Sequence, residues 1–138
     1  MIKKIEHIGI AVNSISESLP VFEALFDKKA YKTEIVDSEF VKTAFIRVGE
    51  SKIELLEATN KSSAIAKFLE KNQGGFHHIA FEVENIEREI SRLGNSGFNL
   101  IHQTPKQGAD NKRIAFLHPK STKAVSYTHL TLPTIREV

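Results

Sequence analysis

The chain contains no cysteine. Disulfides, thiolate metal sites and cysteine nucleophiles are therefore excluded together, which leaves imidazole and carboxylate as the available ligand chemistry and fits an intracellular, cytoplasmic setting. No apolar run is long enough to span a bilayer. The opening MIKKIEHIGIAV carries two lysines, but Glu6 and His7 interrupt it before a signal-peptide apolar core develops. An excess of one charge is also missing. With 19 basic against 17 acidic residues the net charge is +2, which suggests neither a nucleic-acid-binding stripe nor a polybasic membrane segment. What remains is 138 residues, 41% of them hydrophobic, enough for one domain with a real core.

The order of elements can be read from local pattern. Lys4 to Val12 is short and rich in Ile and Val, and Asn13 to Glu17 supplies helix-capping residues before an apolar-periodic run. That pattern predicts a strand, then a helix burying Leu19, Phe22, Leu25 and Phe26, with Pro20 tolerable only in its first turn and an end near Asp27 to Lys29. Three β-prone stretches follow: Tyr31 to Val36, Phe40 to Val48 and Lys52 to Glu57, the last two joined by a hairpin at Gly49-Glu50-Ser51. A polar link leads to a short amphipathic helix through Ile65, Phe68 and Leu69, ending toward Gly74-Gly75. Then the order restarts. Phe76 to Val83 reads as a strand and Asn85 to Leu93 as a helix closed by Gly94 and Gly97. Phe98 to Gln103 and Arg113 to His118 read as further strands around a loop at 105–111.

This restart has an internal register. An offset of 71 residues carries His7 onto His78, Ile8 onto Ile79, Val12 onto Val83, Ile15 onto Ile86, Leu19 onto Ile90 and Phe45 onto Phe116. Apolar coincidences are cheap, but a shared histidine opening two strand-then-helix segments points to duplication of a βαβββ unit. The expected class is α+β. The first module spans about 3–58, a linker helix about 61–73 and the second module about 76–132, all within one domain.

In a strand, residues two apart share a face, so His7 stands with Gly9 and Ala11, and His78 with Ala80 and Glu82. If the two units pair about an approximate two-fold axis, the imidazoles share a cavity. KIELLEA offers Glu54 between Ile53 and Leu55, and two readings of it stand. Either it lies on the solvent side of its strand, or it is buried and needs a partner, since an unpaired buried charge is costly. A divalent metal held by two neutral imidazoles and this carboxylate would be such a partner. His77 is expected on the face opposite His78, and His102 and His118 read as loop or strand-end residues.

The motifs HIGIAV, KIELLEA, GGFHHIAFEV and RIAFLHPKST, running in order from Ile5 to about Val125, resemble the vicinal oxygen chelate superfamily and, within it, the methylmalonyl-CoA epimerases. The resemblance implies two tandem βαβββ modules forming a cupped mixed sheet around one divalent ion, which could be cobalt, manganese, nickel, zinc or iron. It makes His7, Glu54 and His78 the metal ligands, with Glu54 also a catalytic base. Lys106, in ProLysGlnGly at 105–108, and Arg113 become substrate-binding residues. The implied substrate is a small acyl-CoA, the implied reaction proton removal and return through a metal-stabilised enolate, and the implied assembly a homodimer. Other readings remain open: a glyoxalase I-like lyase, an extradiol dioxygenase-like enzyme, or a metal-free binder of a small ligand. The chain has no tryptophan and only two tyrosines, and its motifs match the epimerases better than the dioxygenases.

The match stops near Ser126. Family members place a fourth ligand, a glutamate, on the last strand; counted from the HisProLys turn, that place falls on Thr128, with His129 one residue away and no carboxylate before Glu137. The tail at 126–138 reads as non-native sequence, and an impaired site is expected from the missing carboxylate.

Overall fold

The computed structural model describes residues 1–122 and 127–133, with residue 122 and the stretch 127–133 described by their backbone alone. Of the tail at 126–138, residues 126 and 134–138 therefore lie outside the described residues, as does Val125. The chain divides into two compact units, one running from His7 to His77 and the other joining Met1–Glu6 to the residues from His78 onward.

Strand β1 (Ile2–Ala11) opens the chain and helix α1 (Ile15–Phe26) follows it. Three strands come next, β2 (Lys32–Val36), β3 (Val41–Val48) and β4 (Ser51–Ala58), and then helix α2 (Ala64–Lys71). In the unit from His7 to His77 the strands lie in the order β2-β3-β4-β1, antiparallel except for the parallel β1/β4 pair. Parallel pairing requires a long crossover, and α1, β2 and β3 supply it. Between β3 and β4 the turn is only Gly49-Glu50, with Gly49 at φ 62°, a conformation open to glycine without steric cost.

Helix α1 starts where Ser14 caps it, its Oγ accepting the Glu17 N–H at 3.3 Å, and the Ile15 N–H donates to Glu57 Oε1 at 2.7 Å. It ends at Asp27, which takes the left-handed conformation at φ 53°. Two expectations about this helix need correction. Pro20 stands at its sixth residue, beyond the first turn; both Pro20 and Ser16, whose carbonyl loses its helical donor, are exposed, so water can satisfy the freed oxygen. Leu25 is 71% exposed rather than part of the buried stripe. At about 100° per residue, Ile15, Leu19, Phe22 and Phe26 line up, whereas Leu25 falls roughly a quarter-turn away.

Both faces of this half-sheet are covered. Ile15, Leu19 and Phe22 of α1 pack on Ile10, Ala44 and Leu55. On the opposite face Ile65, Phe68 and Leu69 of α2 cover Ala11, Val41 and Leu56. Burial on both sides explains why β3 reads TAFI in sequence instead of alternating cleanly.

The remaining elements are β5 (Gly75–Val83), α3 (Ile86–Asn95), β6 (Lys106–Gln107), β7 (Lys112–Leu117), α4 (Pro119–Thr122) and β8 (Tyr127–Pro133). The strand order here is β5-β8-β7-β6, with β5 and β8 parallel and the other pairs antiparallel. Asn85 caps α3 by accepting the Arg88 N–H at 2.9 Å, and Ile86, Ile90 and Leu93 bury against Val83, Ala115 and Leu117. Each half therefore repeats strand, helix and three strands, as expected from the 71-residue offset.

One expected strand does not form. Phe98 to Gln103 is largely irregular, with Leu100 in a single bridge to Leu117, and the short strand lies instead at Lys106–Gln107, inside the segment read as a loop. The pairing is interrupted locally. Ile101 N–H reaches Phe116 O at 2.8 Å, but the Phe116 N–H donates to the side-chain Nδ1 of His102 at 3.1 Å instead of a backbone carbonyl.

Candidate metal centre

The parallel register of β1 and β4 sets His7 opposite Lys52 and Gly9 opposite Glu54, so His7 and Glu54 belong to one face of the half-sheet. Gly9 has no side chain to occupy the space beside the carboxylate. His7 Nε2 lies 3.1 Å from Glu54 Oε1, with side-chain exposures of 7% and 6%. Of the two readings of Glu54, burial is the correct one. The strand carries Leu55 on its α1 side and Glu54 on the other, and both are covered.

His78, on β5, is buried as well, and the donor atoms of His7, Glu54 and His78 lie within 4.8 Å of one another. Two imidazoles and a carboxylate are a donor set that suits a borderline divalent ion. The expected trio is thus brought together. His77 plays a different part: its ring meets Phe68 edge-on, 5.1 Å between centroids. His102 serves the β7 backbone, and His118 Nδ1 accepts the Lys120 N–H at 3.2 Å.

Sequence reasoning passed over Lys52. It is 5% exposed, its ammonium sits 6.0 Å from the centre of the Phe45 ring, and it precedes Glu54 by two residues, which in a strand means the same face. The period-2 rule that located Glu54 would have found it. Lys106 is half-buried on β6, where its backbone pairs with Ile114. Arg113 of β7 is bonded to Glu87 of α3, and that guanidinium holds the Glu87 carboxyl below its usual value.

The place assigned to the missing fourth ligand also changes. In the first module Glu54 lies opposite Gly9 on β1 and Phe45 on β3. The 71-residue counterparts of those two residues are Ala80 and Phe116, and the β8 residue opposite both is His129. Thr128 stands opposite Ile79 and Leu117, the counterpart place of Ile53. On backbone register, position 129 is therefore the equivalent of Glu54, and position 128 belongs to the other face.

Residues 6–116 match the family model described as glyoxalase/bleomycin resistance protein/dioxygenase superfamily. Uncharacterized protein YqjC of Bacillus subtilis is 36% identical over 122 residues, 88% of this chain and 87% of that protein. The mitochondrial methylmalonyl-CoA epimerase of Dictyostelium discoideum is 36% identical over 125 residues, 90% of this chain and 75% of that one. Among solved structures, a methylmalonyl-CoA epimerase variant of Streptomyces coelicolor in complex with 2-nitronate-propionyl-CoA superimposes with a TM-score of 0.93 at 29% identity, covering 100% of this chain and 99% of that one. The chain belongs to the glyoxalase/bleomycin resistance protein/dioxygenase superfamily.

Proposed function

We propose that this chain is a metal-dependent epimerase of a malonyl-type acyl-CoA thioester, with methylmalonyl-CoA as the first substrate to test. The observation that carries the proposal is the buried carboxylate of Glu54 set 3.1 Å from His7, in one cluster with His78, in a chain similar to epimerases along most of its length. Likeness to a protein complexed with an acyl-CoA analogue supports the substrate class.

His7, Glu54 and His78 would hold one divalent ion, with cobalt, manganese, nickel, zinc and iron all compatible with imidazole and carboxylate. When bound, the ion supplies Lewis acidity that makes the hydrogen between a thioester and a carboxylate easier to remove. Glu54 is proposed to take that proton from one face of the α-carbon, and inversion requires a second group to return a proton to the opposite face. His7 at the Glu54 Oε1 fixes the orientation of the carboxylate. The covered faces of β4 exclude bulk water from the carbanion. Lys106 and Arg113 are proposed to meet the anionic groups of the coenzyme, Arg113 only by exchanging its bond with Glu87.

The test is α-proton exchange of methylmalonyl-CoA in deuterated water, followed by NMR, with added metals. Deuterium incorporation that disappears in Glu54→Gln supports the proposal, and no exchange with any of the five metals refutes it. Two histidines and one carboxylate also match the facial triad of non-haem iron oxygenases. Oxygen uptake with a catechol and ferrous iron, in the absence of exchange, would favour that reading.

A further inference from the structure

Lys52 is a buried charge on the His7–Glu54 face of β4 that the proposed mechanism leaves without a task. Only 5% of it is exposed, and a lysine that deep is uncommon unless something compensates its charge. It stands directly opposite His7 on β1 and two residues before Glu54, which puts its Cα about 7 Å from that of Glu54 on the same face. On the other side, the β3 residue opposite it is Arg47. Like charges directly opposite each other in an antiparallel pair repel. Arg47 stands exposed over the Tyr31 ring, 5.5 Å from its centre, whereas the Lys52 ammonium lies 6.0 Å from the centre of the Phe45 ring, and Phe45 is the β3 residue opposite Glu54. The sheet therefore tolerates an unfavourable pair of cations at the edge of the candidate site.

We infer that Lys52 receives the free carboxylate of a malonyl-type thioester and so selects substrates that carry one. The inference rests on the role proposed above for Glu54 and follows from the connectivity of the substrate. In such a thioester the carboxylate is bonded to the very carbon that loses its proton, so a base at Glu54 has the carboxylate beside it. An anion entering there meets the negative charge of Glu54 and needs a positive one close by. Lys52 is one strand repeat away on the same face, its ammonium is carried on a flexible four-carbon stem, and burial strengthens the charge-assisted hydrogen bonds it can donate. The Phe45 ring attracts the ammonium through its face but is no strong hydrogen-bond acceptor, so ring and carboxylate do not compete. Arg47, next along the row toward solvent, adds to the positive field. The coenzyme phosphates sit at the far end of the pantetheine arm, which leaves the acyl carboxylate as the anion at this depth.

The consequence is selectivity. A thioester with a methyl group in place of the carboxylate brings an apolar group against the buried ammonium and forfeits a charged hydrogen bond, which should cost roughly tenfold or more in affinity.

Isothermal titration of the full chain, treated with chelator, compares methylmalonyl-CoA with isobutyryl-CoA, in which a methyl group replaces the carboxylate. Glu54→Gln is the background throughout, so neither a metal nor the Glu54 charge contributes to the difference. The expected result is a preference for methylmalonyl-CoA of roughly tenfold or more, which falls to within about twofold when Lys52→Met is added. Far-UV circular dichroism checks that each variant is folded, and Lys52→Gln serves in place of Lys52→Met if the latter does not fold. No preference in the Glu54→Gln background, or a preference that survives removal of the Lys52 charge, overturns the inference. So does an equal loss of affinity for both ligands, which is what a purely structural lysine would give. No turnover enters these titrations. A Lys52-dependent preference without α-proton exchange in the unmutated chain would refute the epimerase proposal alone, and exchange with a Lys52-independent preference would refute this inference alone.

Discussion

Metal-linked stability offers the most direct check on the His7, Glu54 and His78 cluster, because it needs no substrate. A ligand that binds only the folded chain stabilises it by RT ln(1 + [L]/Kd), about 2.7 kcal/mol when the free metal is a hundred times its dissociation constant. For 138 residues, an unfolding entropy of roughly 2.1 cal/mol/K per residue totals about 0.29 kcal/mol/K, so the melting temperature should rise by about 9 °C. The informative variant is Glu54→Gln. The amide keeps the shape of the carboxylate and an oxygen that can accept a hydrogen bond at the 3.1 Å position beside His7, but it loses the charge that a divalent ion needs. Replacing one charge of a buried pair by a neutral hydrogen-bonding group is close to neutral when the partner can also be neutral, as an imidazole can. The metal-free melting temperature should therefore stay within about 3 °C of the parent, which corresponds to roughly 1 kcal/mol. The metal-dependent rise should collapse to less than a third. Differential scanning calorimetry of chelator-treated protein, with cobalt, manganese, nickel, zinc and ferrous iron added in turn, reads both quantities. If no metal stabilises the parent, or if Glu54→Gln responds as the parent does, the cluster is not a metal site.

Three further perturbations test other steps. Gly108→Ala should destabilise the chain by about 1–3 kcal/mol in urea denaturation, because a Cβ there would lie 2.8 Å from Cδ1 and 3.0 Å from Cγ2 of the buried Ile114; an unchanged midpoint would mean that Ile114 yields freely. Glu89, which is buried, is held below its usual carboxylate value by Arg92 and then by the N-terminal ammonium, so its contribution is fully present above the unfolded value near 4.3 and is lost as pH falls through the lowered folded value. Arg92→Met should accordingly be less stable than the parent at pH 7 and approach it as pH falls through the lowered folded value, and a pH-independent difference in denaturant midpoints would contradict this assignment. Finally, the register of β8 predicts that His129→Glu raises metal affinity by tenfold or more while Thr128→Glu leaves it within about threefold; isothermal titration with cobalt separates the two, and the reverse order would show that the register is wrong.

Much of the two modules is legible in the sequence where the signals are local. Ser14 and Asn85 announce their helices as caps, and Gly49 marks the hairpin. Glu54 is conspicuous because a carboxylate interrupts an otherwise apolar strand core. Leu25 and Phe98–Gln103 were less readable for opposite reasons. Leu25 is apolar yet exposed, and residue type alone cannot say which apolar residues of a helix face the sheet. Phe98–Gln103 has strand composition, but the His102 side chain takes a backbone donor that a ladder would use, a choice made only in three dimensions.

The β8 position is the deeper failure, and it has a countable cause. Phe45 and Glu54 are paired across a hairpin with a two-residue turn, whereas between β7 and β8 the chain first forms α4. From Phe116 to His129 the chain is four residues longer than from Phe45 to Glu54, so the 71-residue offset that aligns β1 with β5, α1 with α3 and β3 with β7 breaks before the last strand. Counting along the chain cannot show where pairing resumes after such an insertion, and with a side-chain period of two an error of one residue moves a donor to the wrong face. The proposed ligands in β1, β4 and β5 precede the insertion and are read from local motif. A ligand on β8 is fixed only by its neighbours β5 and β7, which is why it is the one position where strand pairing overrides the motif count.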